Sequence, residues 1–213
     1  YTLYHKAETI KSSLHFSQIA HQYKVAFHLL KNRAIAPIIL VSFAALITGG
    51  FYQAFFVLFL RDLGWTQNNI LLFGTISSIL FVPISWYIIR QMREKGNVAQ
   101  FFQGITLYSA SSIVLGAAGI FLHFFSILFL GLIKDFGSLM ANSVRSGTVS
   151  KAFSHHSEEA GAIDTILSPL GQSIGFLTGS FLLGITGYPL LFAGGGVFVF
   201  IASILGRLSI KNH

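Results

Sequence analysis

The stretch FFSILFLGLIKDFGSLMANSVR, Phe124 to Arg145, is long and apolar enough to cross a bilayer, yet it carries Lys134 and Asp135 near its middle. A charge at bilayer depth costs about 2.5–3.5 kcal/mol on insertion scales, so such a residue normally faces a bundle interior or a wet cavity. A lone helix would gain nothing from the pair. The spacing therefore predicts that other helices surround this one.

The composition supplies them. The chain has 213 residues, of which 53% are hydrophobic and 10% charged, with a mean hydropathy of +0.69. Soluble domains carry about 25% charged residues, so an all-helical integral membrane protein is expected. Twenty-two Phe and 21 Gly suit helices packed by aromatic rings and small residues. Segments of period two, the mark of a membrane barrel, are absent from the sequence. The lack of Cys excludes thiolate metal sites and Cys nucleophiles from this chain. No Walker loop, nucleophile elbow or paired-His metal signature occurs, so neither an enzyme nor a bound cofactor is expected. The adjacent His155 and His156 lack carboxylate or thiol partners at ligand spacing, which argues against a metal.

Six apolar segments follow a polar, basic region of residues 1–33. They run Pro37–Leu60, Asn68–Ile89 with Pro83 inside, Val98–Gly119, Phe124–Arg145, Ala160–Ile185 and Tyr188–Gly206. Each approaches the roughly 20 residues that a spanning helix needs. Residues 34–207 are thus expected to form a transmembrane domain of six helices, with 208–213 as a tail. Within the first region Phe16, Ile19, Tyr23, Phe27 and Leu30 recur at helical spacing. That stripe reads as an amphipathic helix lying on a membrane surface or packed on another part of the protein. The chain opens at Tyr1 without an apolar leader, so a segment of a longer polypeptide, or a processed product, is expected.

The basic residues orient the bundle. With the N-terminus in the cytoplasm, Lys6, Lys11, Lys24, Lys31, Arg33, Arg90, Arg93, Lys95, Arg145, Lys151, Arg207 and Lys211 all fall inside. Only Arg61, beside Asp62, falls outside, and Lys134 lies within the membrane. The positive-inside rule favours this arrangement, with both termini cytoplasmic in a plasma or inner membrane. It also accounts for the net charge of +7 without nucleic acid as a partner.

FHLLKNRAIAP (27–37) followed by six spans resembles the C-terminal half of a major facilitator superfamily transporter together with its central cytoplasmic loop. RDLGWTQNNILLFGTISS (61–78) is similar to that family's outside loop and the helix after it. SWYIIRQMREKGN (85–97) stands where the family repeats its Gly-x-x-x-Asp-Arg-x-Gly-Arg loop; Arg90, Arg93, Lys95 and Gly96 match in kind, and the acidic position does not. SPLGQSIGFLTGS (168–180) resembles the Gly-Pro-x-x-Gly antiporter motif, with Ser168 in place of the first Gly. The resemblance covers almost the whole chain. It implies half of a twelve-helix fold, a site between two six-helix halves, and a second half on the same polypeptide or another subunit as partner.

Candidate functional residues follow. Lys134 and Asp135 are adjacent, so they project about 100° apart and are expected to face different surroundings. In a proton-coupled transporter a carboxylate takes up and releases a proton as access alternates. Asp135 is the candidate for that role, and Lys134 for substrate contact or counter-charge. Tyr52 and Gln53 lie mid-span in the first helix and are candidate substrate contacts, because the resemblance makes that helix line the cavity. Arg145 and Asp164 bracket one short inside loop, where a salt bridge would form a latch or a static brace. Gly171, Gly175 and Gly179 recur every four residues on one helix face, where a neighbouring backbone can approach; Pro169 permits a bend. The expected activity is secondary active transport of a small organic solute. The rivals are a non-transporting scaffold or assembly subunit of a larger complex, and a lipid flippase on the same fold.

Overall fold

The computed structural model describes residues 35–152 and 157–211. The amphipathic stripe of residues 16–30, His155–His156 and the side chain of Asp164 lie outside the described residues. The described chain is all helical. Its elements are α1 (Ala36–Asp62), α2 (Gln67–Lys95), α3 (Val98–Ala118), a single 3-10 turn (Gly119–Phe121), α4 (Phe124–Ala152) and α5 (Ser157–Lys211). All five α-helices contain stretches long and apolar enough to cross a membrane.

Local chemistry accounts for the starts of these helices. Pro37 occupies the first turn of α1, where its missing N–H removes nothing. Thr66 caps α2 by accepting from the Asn69 N–H at 3.4 Å. Asn97 and Gln100 form a reciprocal capping box at α3, with bonds of 2.9 and 3.0 Å. The corner between α3 and α4 is tight: only Leu122 and His123 separate the 3-10 turn from α4, and Gly119 has passed from α3 into that turn. Within the helices, Thr75, Thr106, Ser112, Thr148 and Thr178 return their hydroxyls to carbonyls four residues back. In hydrocarbon that self-satisfaction lets a polar side chain sit on a helix without a partner.

Several helices run past their expected ends: α2 continues beyond Ile89 to Lys95, and the last segment beyond Gly206 to Lys211. α4 continues past Arg145 to Ala152. α5 comprises the fifth and sixth expected segments, and its backbone leaves the helical region at Gly187 (φ 73°, ψ 171°), between the expected end at Ile185 and the expected start at Tyr188. A straight helix over its apolar part, Thr165–Lys211, would run about 70 Å, more than twice a hydrocarbon core of about 30 Å. The chain instead turns back at Gly187. Before the break, Gly171, Gly175 and Gly179 meet α1 at Phe43 and Leu46, at Ile47 and Gly50, and at Phe51 and Phe55, so this arm runs parallel to α1. After it, Gly195 meets Thr48 and Phe51, and Gly206 meets Val41, so the second arm runs antiparallel.

Gly187 holds a backbone conformation open essentially to glycine alone. Gly187→Ala is expected to cost about 1–3 kcal/mol, read as a lowered unfolding midpoint in detergent; an unchanged midpoint would mean the reversal can form without that conformation.

Helix α3 lies at the centre. It packs antiparallel to α4, where Gly104 and Gly137 bring the two backbones together, and antiparallel to the second arm of α5. There the Arg207 guanidinium donates to the Phe102 carbonyl at 3.0 Å and to Thr106 Oγ1 at 2.9 Å. The core has two parts. One, around Ile38, Phe101, Ile105, Val144 and Val199, lies toward the start of α1. The other, around Phe51, Phe55, Phe59, Leu115 and Phe192, lies toward its end. Helix α2 is almost unburied, exposing Leu71, Ile79, Val82 and Trp86. Its apolar outer face is compatible with lipid.

Candidate functional site

The site begins with α1 and α4, whose middles meet. Tyr52 on α1 is buried, its ring stacked on Phe192 with centroids 4.5 Å apart. Its hydroxyl donates to the Ser112 carbonyl on α3 in a long bond of 3.5 Å. Tyr108, one turn earlier on α3, is also buried and donates to the Ala45 carbonyl at 3.4 Å. These bonds fix the rotation of α1 against α3 and leave the Tyr52 ring facing α4.

Lys134 comes to that ring. Its Nζ lies 4.2 Å from the Tyr52 centroid and 2.9 Å from Asp135 Oδ1. The two head groups thus meet at one point, which the divergence of adjacent side chains was expected to prevent. The Cα–Cβ bonds do diverge, but the four-carbon lysine stem is long enough to fold back across the helix surface to its neighbour. A desolvated ammonium over a tyrosine face gains about 2 kcal/mol from the ring quadrupole, and less where water reaches it. The Lys134 side chain is 15% exposed and that of Asp135 42% exposed. The carboxylate therefore stands at the open side of the cluster and the ammonium at its closed side. The pair lies roughly 15 Å along α4 from its start, well inside a helix long and apolar enough to cross a membrane.

Gln53 is separated from this cluster. One residue beyond Tyr52, it turns about 100° around α1 and lines a groove against the first arm of α5 with Gln172 and Ser173. Pro169 lies in the same groove. Tyr52 and Gln53, expected to share a cavity wall, thus face opposite neighbours at one depth. Gly171, Gly175 and Gly179 form the seam behind the groove, as their spacing predicts, and Gly50 answers them from α1: a β-carbon there would lie 2.5 Å from the Gln172 carbonyl oxygen.

Arg145 is buried near the far end of α4. It lines a polar cavity of about 610 Å³ with Asn142, Ser143, Ser146 and Lys151. The expected partner, Asp164, has its side chain outside the described residues, so that bridge is not part of the described site.

Two features were not read from the sequence. The Lys134–Tyr52 contact joins residues 82 positions apart and has no local signal. Gln172 and Ser173 did carry one, being polar residues between the glycines of an apolar stretch. No protein-family model, no curated protein and no solved structure matches this chain.

Proposed function

We propose that this chain is one half of a solute transporter of the major facilitator type, which moves a small organic molecule by alternating access and is driven by protons. In this reading α1 to α4 and the two arms of α5 make six crossings, with both termini in the cytoplasm of a plasma or inner membrane. A second six-helix half, on the same polypeptide or another subunit, completes the cavity.

The single observation that supports this reading best is the cluster at mid-depth: Lys134 held between Asp135 and the Tyr52 ring, with the carboxylate at the open side. A carboxylate that far into hydrocarbon needs water or another polypeptide beside it. A cavity between two halves provides the water. When Asp135 takes a proton, the ion pair becomes a hydrogen bond from the ammonium to a neutral carboxyl, and the weaker hold frees the ammonium to change partners. Protonation and a shift of α4 against α1 are coupled in this way.

The test is proton movement in liposomes containing the full protein, followed with a trapped pH dye while small solutes are added under an imposed pH gradient. Transport predicts that at least one class of solute accelerates collapse of the gradient. No solute-dependent flux, in a protein that purifies bound to unrelated subunits, would overturn the proposal in favour of a scaffold.

A further inference from the structure

We infer that the groove between α1 and the first arm of α5 binds an uncharged solute bearing several hydroxyl or amide groups. This deepens the transport reading and rests on it for the solute's passage, though not for its binding. The groove holds about 640 Å³, within the range of about 300–1,000 Å³ typical of small-molecule sites. Its polar groups are the carboxamides of Gln53 and Gln172 and the hydroxyl of Ser173.

These groups are unlike the other polar residues on the same arm. Thr178 and Ser180 satisfy their hydroxyls on carbonyls of their own helix. Among the described residues, the side chains of Gln53, Gln172 and Ser173 form no hydrogen bond with one another or with a neighbour. Around them the arm exposes Phe176, Leu177 and Phe181. Polar groups at this depth, surrounded by apolar surface, call for a partner that both donates and accepts.

The chemistry of the lining selects that partner. A carboxamide offers two donors and an acceptor, and a hydroxyl offers both, so together they match hydroxyl and amide groups in either sense. Among the described residues, no charged side chain lines the groove. A carboxylate or ammonium ligand would lose its hydration without gaining a counter-charge. Lys134 and Asp135 lie around α1 on the Tyr52 side, where they pair with each other. Phe176, stacked on Phe55 with centroids 5.9 Å apart, supplies an apolar wall for the carbon faces of such a solute. The groove is also formed in advance, because the close approach at Gly50 and Gly175 holds α1 against α5 behind it.

The chain has no cysteine, so Ser173→Cys places a single thiol in the groove. In the full protein, with any cysteine elsewhere replaced, its reaction with a water-soluble methanethiosulfonate is followed in membrane vesicles. The competing solutes are neutral hexoses, disaccharides, polyols and amides, with gluconate and glucosamine as charged counterparts of glucose. The expected result is a reactive thiol, slowed about tenfold by a saturating neutral solute, which corresponds to about 1.4 kcal/mol. Gluconate and glucosamine should not slow it, and Gln172→Leu should abolish the protection. A thiol that does not react would mean another helix fills the groove and would overturn the inference. Protection by the charged solutes, or by none of the neutral ones, would overturn it as well. Proton-coupled flux of a charged solute would sink this inference and leave transport standing. Protection by a neutral solute that never crosses the membrane would do the reverse.

Discussion

Asp135→Asn is expected to abolish uphill accumulation while leaving downhill movement of solute intact. If one proton accompanies each solute, a gradient of one pH unit is worth about 1.4 kcal/mol and supports about tenfold accumulation at equilibrium. Asparagine is close in shape to the carboxylate and keeps a carbonyl oxygen for Lys134, but it cannot exchange a proton. The variant should therefore bring the solute to the same concentration on both sides and stop there. Counterflow of labelled solute, which needs no proton, should persist and separates this result from misfolding. The variant leaves the Lys134 ammonium with the Tyr52 ring and an amide oxygen in place of the carboxylate, so some loss of stability is expected alongside intact counterflow. Accumulation at the wild-type level would remove Asp135 from the coupling step.

The second large effect is structural. Gly175 sits where α1 and α5 approach most closely, and a β-carbon on it would collide with the carbonyl of Ile47. Neither backbone can yield without moving its whole helix. Gly175→Leu is therefore expected to cost about 3 kcal/mol or more, at the upper end of overpacking penalties. Gly184→Leu is the matched control, since nothing lies within 4 Å of a β-carbon at that position on the same arm. Unfolding midpoints in detergent should fall sharply for the first variant and stay level for the second. Equal midpoints would mean the two helices do not meet through this seam. Because the seam backs the Gln53–Gln172 groove, the first variant should also lose solute protection.

Gly171, Gly175 and Gly179 illustrate which kind of feature is legible in a sequence. A repeat of four places residues on one helix face whatever the helix packs against, and three bare positions in a row can only be a contact. The partner was not legible. The same pattern would serve a seam with α1, α3 or another subunit, and contacts across the bundle chose α1. Lys134 and Asp135 show the converse. Helix geometry correctly separates their Cα–Cβ bonds by about 100°, but the reach of a lysine stem decides where the ammonium ends. That end point depends on a ring 82 positions away in the chain.

By itself, the sequence determined those properties that depend on neighbours within a turn or two. These are the apolar helices, the short link between the third and fourth of them, the glycine face of α5, and the depth of the charged pair. Each follows from periodicity or from length along a helix. Only the tertiary structure decided that the glycine face of α5 meets α1, that Lys134 lies between Asp135 and Tyr52, and that Gln53 and Gln172 line one groove. Those outcomes depend on how each helix is rotated about its axis against the next. Rotation is set by close packing of residues far apart in the chain, and no local pattern encodes it.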